Sequence, residues 1–230
     1  MIQLENIKKS YKDPKEILVL DNMNLEINQG EIVSIIGPSG SGKTTLLNLI
    51  GIIDDPNEGI VRVLGRDVKN LNENEKASFR NENIGFIFQI PHLIDELTIF
   101  ENVLIPGLIS HKFLNGKIKK RAIELMEYMG LSEKINNFPY EISGGEKRRV
   151  EIARALINNP KILIADEPTS NLDPNLKFSI MELIYKVRQD FGTTIIFSTH
   201  DYEILKYADK IYKIENKKLK LITLDQWNIL

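Results

Sequence analysis

Short apolar runs alternate with longer amphipathic stretches along this chain. Residues 2–6 and 17–27 are β-like runs, set apart by the polar turn Lys12-Asp13-Pro14-Lys15. Glu31 to Ile36 is a compact strand pattern rich in Ile and Val. A glycine-rich turn follows, then a helix pattern from about Lys43 to Ile50 with Leu46, Leu49 and Ile50 on one face and Gly51 at its end. Residues 60–64 and 84–88 read as strands. The stretch 99–130 reads as helical, broken near Pro106 and Gly116, and 146–157 is a strong helix pattern. Residues 161–165 form a buried strand, 174–190 a helix and 194–198 a second buried strand. A short helix over 201–208 and strand-like runs over 211–222 complete the pattern. Strands alternating with helices predict an α/β fold with a mostly parallel sheet. The stretch from about 90 to 158 contains no convincing strand, so it is expected to be a helical insertion. The chain then reads as a single domain over 1–230. Residues 1–89 and 159–230 form its core, and about 90–158 an inserted helical subdomain.

Composition narrows the function classes. Of 230 residues, 42% are hydrophobic, enough for a sizeable core without a covalent staple. Formal net charge is −2, which argues against a strongly basic nucleic-acid binder, so no nucleic-acid partner is expected. There is no cysteine, which removes disulfides, thiolate zinc sites and thiol nucleophiles. The best candidate for a membrane span, Leu97 to Ser110, is interrupted by Glu101, Asn102 and Pro106 and falls short of roughly 18–20 apolar residues. The N-terminal MIQLENIKKS lacks an apolar leader core. Any work at a membrane is expected to go through a partner that carries the spans.

Two segments carry chemistry of their own. Gly37-Pro38-Ser39-Gly40-Ser41-Gly42-Lys43-Thr44 has the spacing of a phosphate-binding loop and sits between a strand and a helix pattern. Glycines let the backbone aim N–H groups at phosphate oxygens, and the helix N-terminus adds its positive end. Lys43 supplies a mobile charge and Thr44 a hydroxyl for Mg²⁺. Lys161 to Ala165 is an apolar strand ending in Asp166-Glu167. A carboxylate at such a strand end can hold Mg²⁺, and its neighbour can polarise a water.

Four further segments fix the class: Gln89 after the strand 84–88, Ser143-Gly144-Gly145-Glu146 before a helix, Ser170-Asn171-Leu172-Asp173 after the acidic pair, and His200 ending the strand 194–199. With the phosphate loop, these resemble the ATPase subunit of ABC transporters, from about residue 2 to residue 220. The segment ISGGEKRRVEIARAL (142–156) is close to that family's signature, and its Ser143 stands 23 residues before Asp166. Glu146 departs from the usual glutamine and Ile142 from the usual leucine. Each segment alone also has a plain structural reading: Ser143 and Asp173 as helix caps, His200 as an exposed histidine like His92 and His111, Gln89 as a polar strand end. Tyr11 stays open between an adenine platform and a surface aromatic.

The resemblance implies a P-loop core with a mostly parallel sheet, an N-terminal antiparallel β subdomain and an inserted helical subdomain. It implies that Gly37, Pro38, Ser39, Gly40, Ser41, Gly42, Lys43, Thr44 and Thr45 hold the triphosphate of ATP, with Tyr11 stacked on adenine. Thr44 and Gln89 would ligate Mg²⁺, supported by Asp166. Glu167 would be the general base, and His200 would contact the γ-phosphate. Ser143, Gly144, Gly145 and Glu146 would close on ATP bound to a second copy, with Asp173 at the junction of a head-to-tail homodimer. The stretches 46–68 and 79–103 resemble the lipoprotein-releasing and macrolide-exporter group, whose ATPases pair with a four-span integral membrane subunit. That implies a peripheral place on the cytoplasmic face of the inner membrane. The partner contact is expected near Gln89 to Glu101, with Ile90, Pro91, Leu93 and Ile94 exposed or, on the plainer reading, packed internally. The alternative is an ABC ATPase of a non-transport signalling complex of cell-division type. The transported substrate is not encoded here, because the ATPase never touches it.

Overall fold

The computed structural model describes residues 1–111 and 116–222. It divides into two compact units, Met1–Ala77 with the chain from Thr194 onward, and Ser78–Thr193.

In the first unit, β1 (Ile2–Asp13) lies antiparallel between β2 (Lys15–Ile27) and β4 (Glu58–Val63), and the short β5 (Arg66–Asp67) pairs with β4. Leu4 stands opposite Leu25 on one side and Val61 on the other, all three buried. Met23, Leu25 and Ile27 alternate with exposed residues, the period of a strand with one face packed. Register shifts between Leu4 and Ser10 interrupt β1; within that stretch Lys9 is buried, and beyond it Tyr11 is exposed. A second sheet places β3 (Ile32–Ile36) parallel to both β8 (Thr194–Thr199) and β9 (Lys210–Glu215), with β10 (Lys218–Ile222) antiparallel on β9. All five residues of β3 and all six of β8 are buried, as expected of parallel strands covered on both faces. Helix α1 (Lys43–Ile50) buries Leu46, Leu49 and Ile50, the face that the periodicity predicts.

In the second unit, β6 (Ile84–Ile87) and β7 (Ile162–Asp166) pair in parallel. Around them stand α3 (Ile99–His111), α4 (Gly116–Tyr128), α5 (Gly144–Leu156) and α6 (Pro174–Phe191). Gly85 lets β6 approach α5 closely: a Cβ there would lie 2.5 Å from the Ala155 carbonyl oxygen. The remaining helix, α2 (Glu73–Asn83), spans the boundary between the units in sequence.

The α/β fold with an antiparallel N-terminal sheet and parallel central strands is as expected. Three local expectations change. Helix α2 has no counterpart in the periodicity, because Lys76 and Phe79 are its only residues that reach the buried class. Helix α3 continues through Pro106 instead of breaking there, and the Pro106 carbonyl accepts from the side chains of Asn81 and Asn158, each at 3.1 Å. The segment 201–208 is a 3₁₀ helix over Tyr202–Tyr207. The side chain of His111 lies outside the described residues.

Candidate active site

The first unit carries the phosphate loop, Tyr11 and His200. The chain leaves β3 at Ile36, turns through Gly37 to Gly42 and enters α1 at Lys43. Gly42 caps α1 at φ 102, and a Cβ there would meet Leu20 at 2.7 Å and Val19 at 2.9 Å, so only glycine fits. No side chain caps this helix and no acidic residue stands in its first turn. Its N-terminus is therefore left to an anion. The Lys43 ammonium is buried and donates to the carbonyls of Gly37 (3.0 Å) and Pro38 (3.3 Å), which folds it back over the loop. Ser41 Oγ is buried and makes no hydrogen bond, which is rare for a buried polar atom. Pro38, Ser39, Gly40 and Thr44 are exposed, and Thr45 is half-buried.

Tyr11 is 40% exposed, and its hydroxyl donates to Asp54 Oδ2 at 2.7 Å. Lys9 Nζ sits 4.8 Å from the centre of its ring and bonds Asp54 Oδ1 at 2.6 Å. Thr45 also contacts the hydroxyl; burial and the bond to Asp54 push the phenol's pKa above its usual value. The ring is thus braced from below while one face stays accessible. Asp54 and Lys9 were not legible as site residues. Their only signal is position, Asp54 four residues past the end of α1 and Lys9 two before Tyr11. His200 is exposed, immediately after β8.

The second unit carries the acidic pair, Gln89, the signature segment and Asp173. Asp166 is the last residue of β7, and both it and Glu167 are half-buried. Glu167 adopts φ 45, in the left-handed region that a non-glycine residue occupies at a cost. This turn carries the Glu167 side chain to Gln89, whose Nε2 donates to Glu167 Oε2 at 3.3 Å. Gln89 is exposed past the end of β6, and its carbonyl accepts from Ser170 Oγ at 3.3 Å. Gln89 and Glu167, 78 residues apart in sequence, therefore meet, as required if both serve one reaction.

Ser143 caps α5 in a reciprocal box: its Oγ accepts from Glu146 N, and Glu146 Oε2 accepts from Ser143 N at 2.9 Å. Lys134 Nζ bonds Glu146 Oε1 at 2.5 Å. That bond and the Ser143 contacts hold the Glu146 carboxyl down at about 2. Gly144 is exposed with open space around it, while a Cβ on Gly145 would press Leu176 at 3.1 Å. Leu176 lies in the first turn of α6, which Asp173 caps by accepting from Asn175 N and Leu176 N, both at 3.1 Å. Sequence reasoning also missed Arg148 and Glu151, buried on α5 behind Gln89; their i,i+3 spacing inside the signature helix was the available signal. Burial raises the Glu151 carboxyl, opposed by the Arg148 guanidinium beside it.

Of the four residues expected to be exposed for a partner, Ile90 (65%) and Ile94 (44%) are, but Pro91 and Leu93 are half-buried. Just beyond them, the side chain of Asn102 on α3 accepts from Ile94 N at 2.8 Å and donates to the carbonyls of Ile94, Leu97 and Thr98, fastening the backbone of that part of the loop.

Among the described residues no three His, Cys, Asp or Glu side chains cluster as a metal cage. The expected donors are instead the Thr44 hydroxyl, the Gln89 amide oxygen and the Asp166 carboxylate, all hard oxygens. Each is a donor of the kind that Mg²⁺ takes, Thr44 in the first unit and Gln89 and Asp166 in the second.

The family model described as ABC transporter matches residues 20–170. A shorter match, to a model described as AAA domain, putative AbiEii toxin, Type IV TA system, covers residues 136–206. An uncharacterized ABC transporter ATP-binding protein of Methanocaldococcus jannaschii is 44% identical over 220 residues, 95% of this chain and 97% of that one. The lipoprotein-releasing system ATP-binding protein LolD of Bacteroides fragilis is 44% identical over 210 residues, 91% of this chain and 95% of that one. Among solved structures, the dimeric post-hydrolysis state of the ATP-binding cassette MJ0796, bound to ADP and Pi, superposes with a TM-score of 0.89 at 39% identity, over 97% of this chain and 99% of that one. Phosphate loop, acidic strand end and signature helix thus occur in a chain that matches such cassettes almost end to end, and it belongs to the ABC transporter family as an ATP-hydrolysing cassette.

Proposed function

We propose that this chain powers a separate integral membrane subunit of the lipoprotein-releasing or macrolide- and peptide-exporting kind. The observation that carries this reading is the 44% identity to LolD over nearly the full length of both chains. No helix among the described residues is long and apolar enough to cross a membrane, which suits a subunit held peripherally at the cytoplasmic face of the inner membrane by a four-span partner. The exposed Ile90 and Ile94, beside Gln89, are the surface assigned to that partner.

The roles follow from the chemistry of each residue. Tyr11 stacks on adenine. Gly37 to Thr45 wrap the triphosphate, with Lys43 exchanging its loop carbonyls for phosphate oxygens. Thr44, Gln89 and Asp166 hold Mg²⁺, which neutralises charge on the β- and γ-phosphates when bound. Glu167 accepts the proton of the attacking water as its oxygen bonds to the γ-phosphorus; the bond to the ADP oxygen breaks and ADP leaves with that electron pair. His200 steadies the γ-phosphate. Ser143, Gly144 and Gly145 offer a helix N-terminus to ATP held by a second copy, with Asp173 at the junction, so hydrolysis belongs to a head-to-tail homodimer.

The test uses Glu167→Gln. Turnover is expected to fall at least about 100-fold with ATP binding retained, the scale of losing a general base. The same variant, tagged and trapped with Mg-ATP in membranes of its own cells, is expected to bring down a four-span protein with a large extracytoplasmic domain. Near-normal turnover overturns the base assignment. Recovery of a division-type membrane protein, or of a soluble complex alone, overturns the transport reading.

A further inference from the structure

We infer that Arg148 and Glu151 are positioning residues for Gln89: a buried ion pair on the signature helix that holds the backbone of the Gln89 turn. The inference rests on the reading of Gln89 as a metal ligand.

Strand β6 ends at Ile87, so ladder pairing does not fix the next two residues. The ion pair fixes them instead. Phe88 N donates to Glu151 Oε1 at 2.7 Å. Arg148 Nη1 donates to the Phe88 carbonyl and to Glu151 Oε2, the latter at 2.6 Å. Arg148 Nη2 donates to the Gln89 carbonyl at 2.9 Å. One guanidinium thus serves two successive carbonyls and the Glu151 carboxylate at once, from the two ends of a planar fork whose geometry an ammonium does not reproduce. Arg154, six residues further along α5, donates to the His92 carbonyl in the same loop.

The side chains of Arg148 and Glu151 are 2% and 0% exposed. A buried ion pair is seldom more stabilising than an apolar pair of the same volume, so its distinctive contribution is direction. What it directs is the peptide from which the Gln89 side chain reaches Glu167. Helix α5 begins at the signature glycines, and Gly85 seats β6 against the same helix. Helix and Gln89 turn are therefore tied at residues 85, 88, 89 and 92. A displacement of the signature segment carries the proposed metal ligand with it.

The test compares full-length wild type with Arg148→Met/Glu151→Leu, which removes both charges together, and with Arg148→Lys, which keeps the ion pair but not the fork. Three quantities are read: Phe88 amide exchange by NMR without nucleotide, Mn²⁺ affinity by EPR in the presence of ATPγS, and ATPγS binding without metal. In the double variant, Phe88 exchange is expected to accelerate at least about tenfold as the turn opens locally. Mn²⁺ affinity is expected to fall about tenfold, the scale for losing a support behind a metal ligand. ATPγS binding without metal should change less than about twofold, because only the metal ligand is misplaced. Arg148→Lys should shift exchange and Mn²⁺ affinity in the same direction by less, which keeps the test open if the double variant does not fold. Unchanged Phe88 exchange in a folded variant overturns the inference. So does unchanged Mn²⁺ affinity while Gln89→Ala weakens it. Unchanged Mn²⁺ affinity in Gln89→Ala overturns the metal-ligand reading itself, and this inference with it.

Discussion

At Glu146, a carboxylate occupies the helix end that the family reading assigns to the phosphate of another copy. Its charge is answered locally: Ser143 N takes Oε2, and Lys134 takes Oε1. These contacts lower its pKa from the ordinary 4.5 to about 2. The sign follows. A carboxylate held below its unfolded value stabilises the folded state fully above that value, and the contribution disappears as pH falls from about 4.5 to about 2. Water screens the pair, since Lys134 is 44% exposed. Glu146→Gln is therefore expected to cost about 1–2 kcal/mol at pH 7, below what the full shift would give. Urea unfolding of both proteins at steps between pH 7 and pH 3 checks this. The gap should narrow steadily below about pH 4.5. A gap independent of pH would show that the uncharged cap, and not the Lys134 pair, supplies the stabilisation.

At the scale of elements, the later part of the loop after β6 is held by the side chain of Asn102. Asn102 on α3 is fully buried and bonds one N–H and three carbonyls of residues 94–98. Asn102→Ala takes the side-chain partner from Ile94 N and the Leu97 carbonyl, while the Ile94 and Thr98 carbonyls keep the backbone N–H groups of Leu97 and residue 102. The expected loss is about 2–4 kcal/mol, two unsatisfied groups at once, measured by chemical denaturation. A loss under about 1 kcal/mol would mean that water replaces the side chain easily. This residue also marks where sequence reading stops. Helix α1, strands β7 and β8 and helix α6 were legible to within a residue or two, because apolar period, glycine and cap signals coincide there. Gln89 and Glu167 were legible from their motifs, and their meeting needed the fold. Helix α2 was not legible, because its sequence ENEKASFRNEN offers almost no apolar face. Pro106 misled because a proline inside a helix removes the bond to the carbonyl four residues back, a loss that α3 tolerates; Asn81 and Asn158 bond the Pro106 carbonyl itself from outside the helix. Arg148 and Glu151 read as ordinary charges on an amphipathic helix, and only packing shows both inside.

At the scale of the whole molecule, the question is whether one chain completes its own site. The signature helix offers a capped N-terminus with Gly144 exposed and clear space around its Cα. If that N-terminus serves the γ-phosphate of another copy, a carboxylate placed there should block pairing without touching the ATP that the same chain binds. Gly144→Asp meets the requirement. Its backbone has no positive φ to strain, and a carboxylate repels a phosphate that approaches the helix end. ATP affinity of the isolated variant is expected to stay within about twofold, since the proposed roles give the Ser143–Glu146 segment to ATP held by another copy. Hydrolysis is expected to fall at least about 100-fold, as when a main electrostatic contact to the transition state is lost. The second measurement is mass in solution. Glu167→Gln with ATP should sediment as a dimer, and Glu167→Gln/Gly144→Asp with ATP as a monomer. A double variant that still dimerises, or a Gly144→Asp single variant that hydrolyses ATP at the wild-type rate, would place the whole reaction within one chain and leave α5 a structural helix.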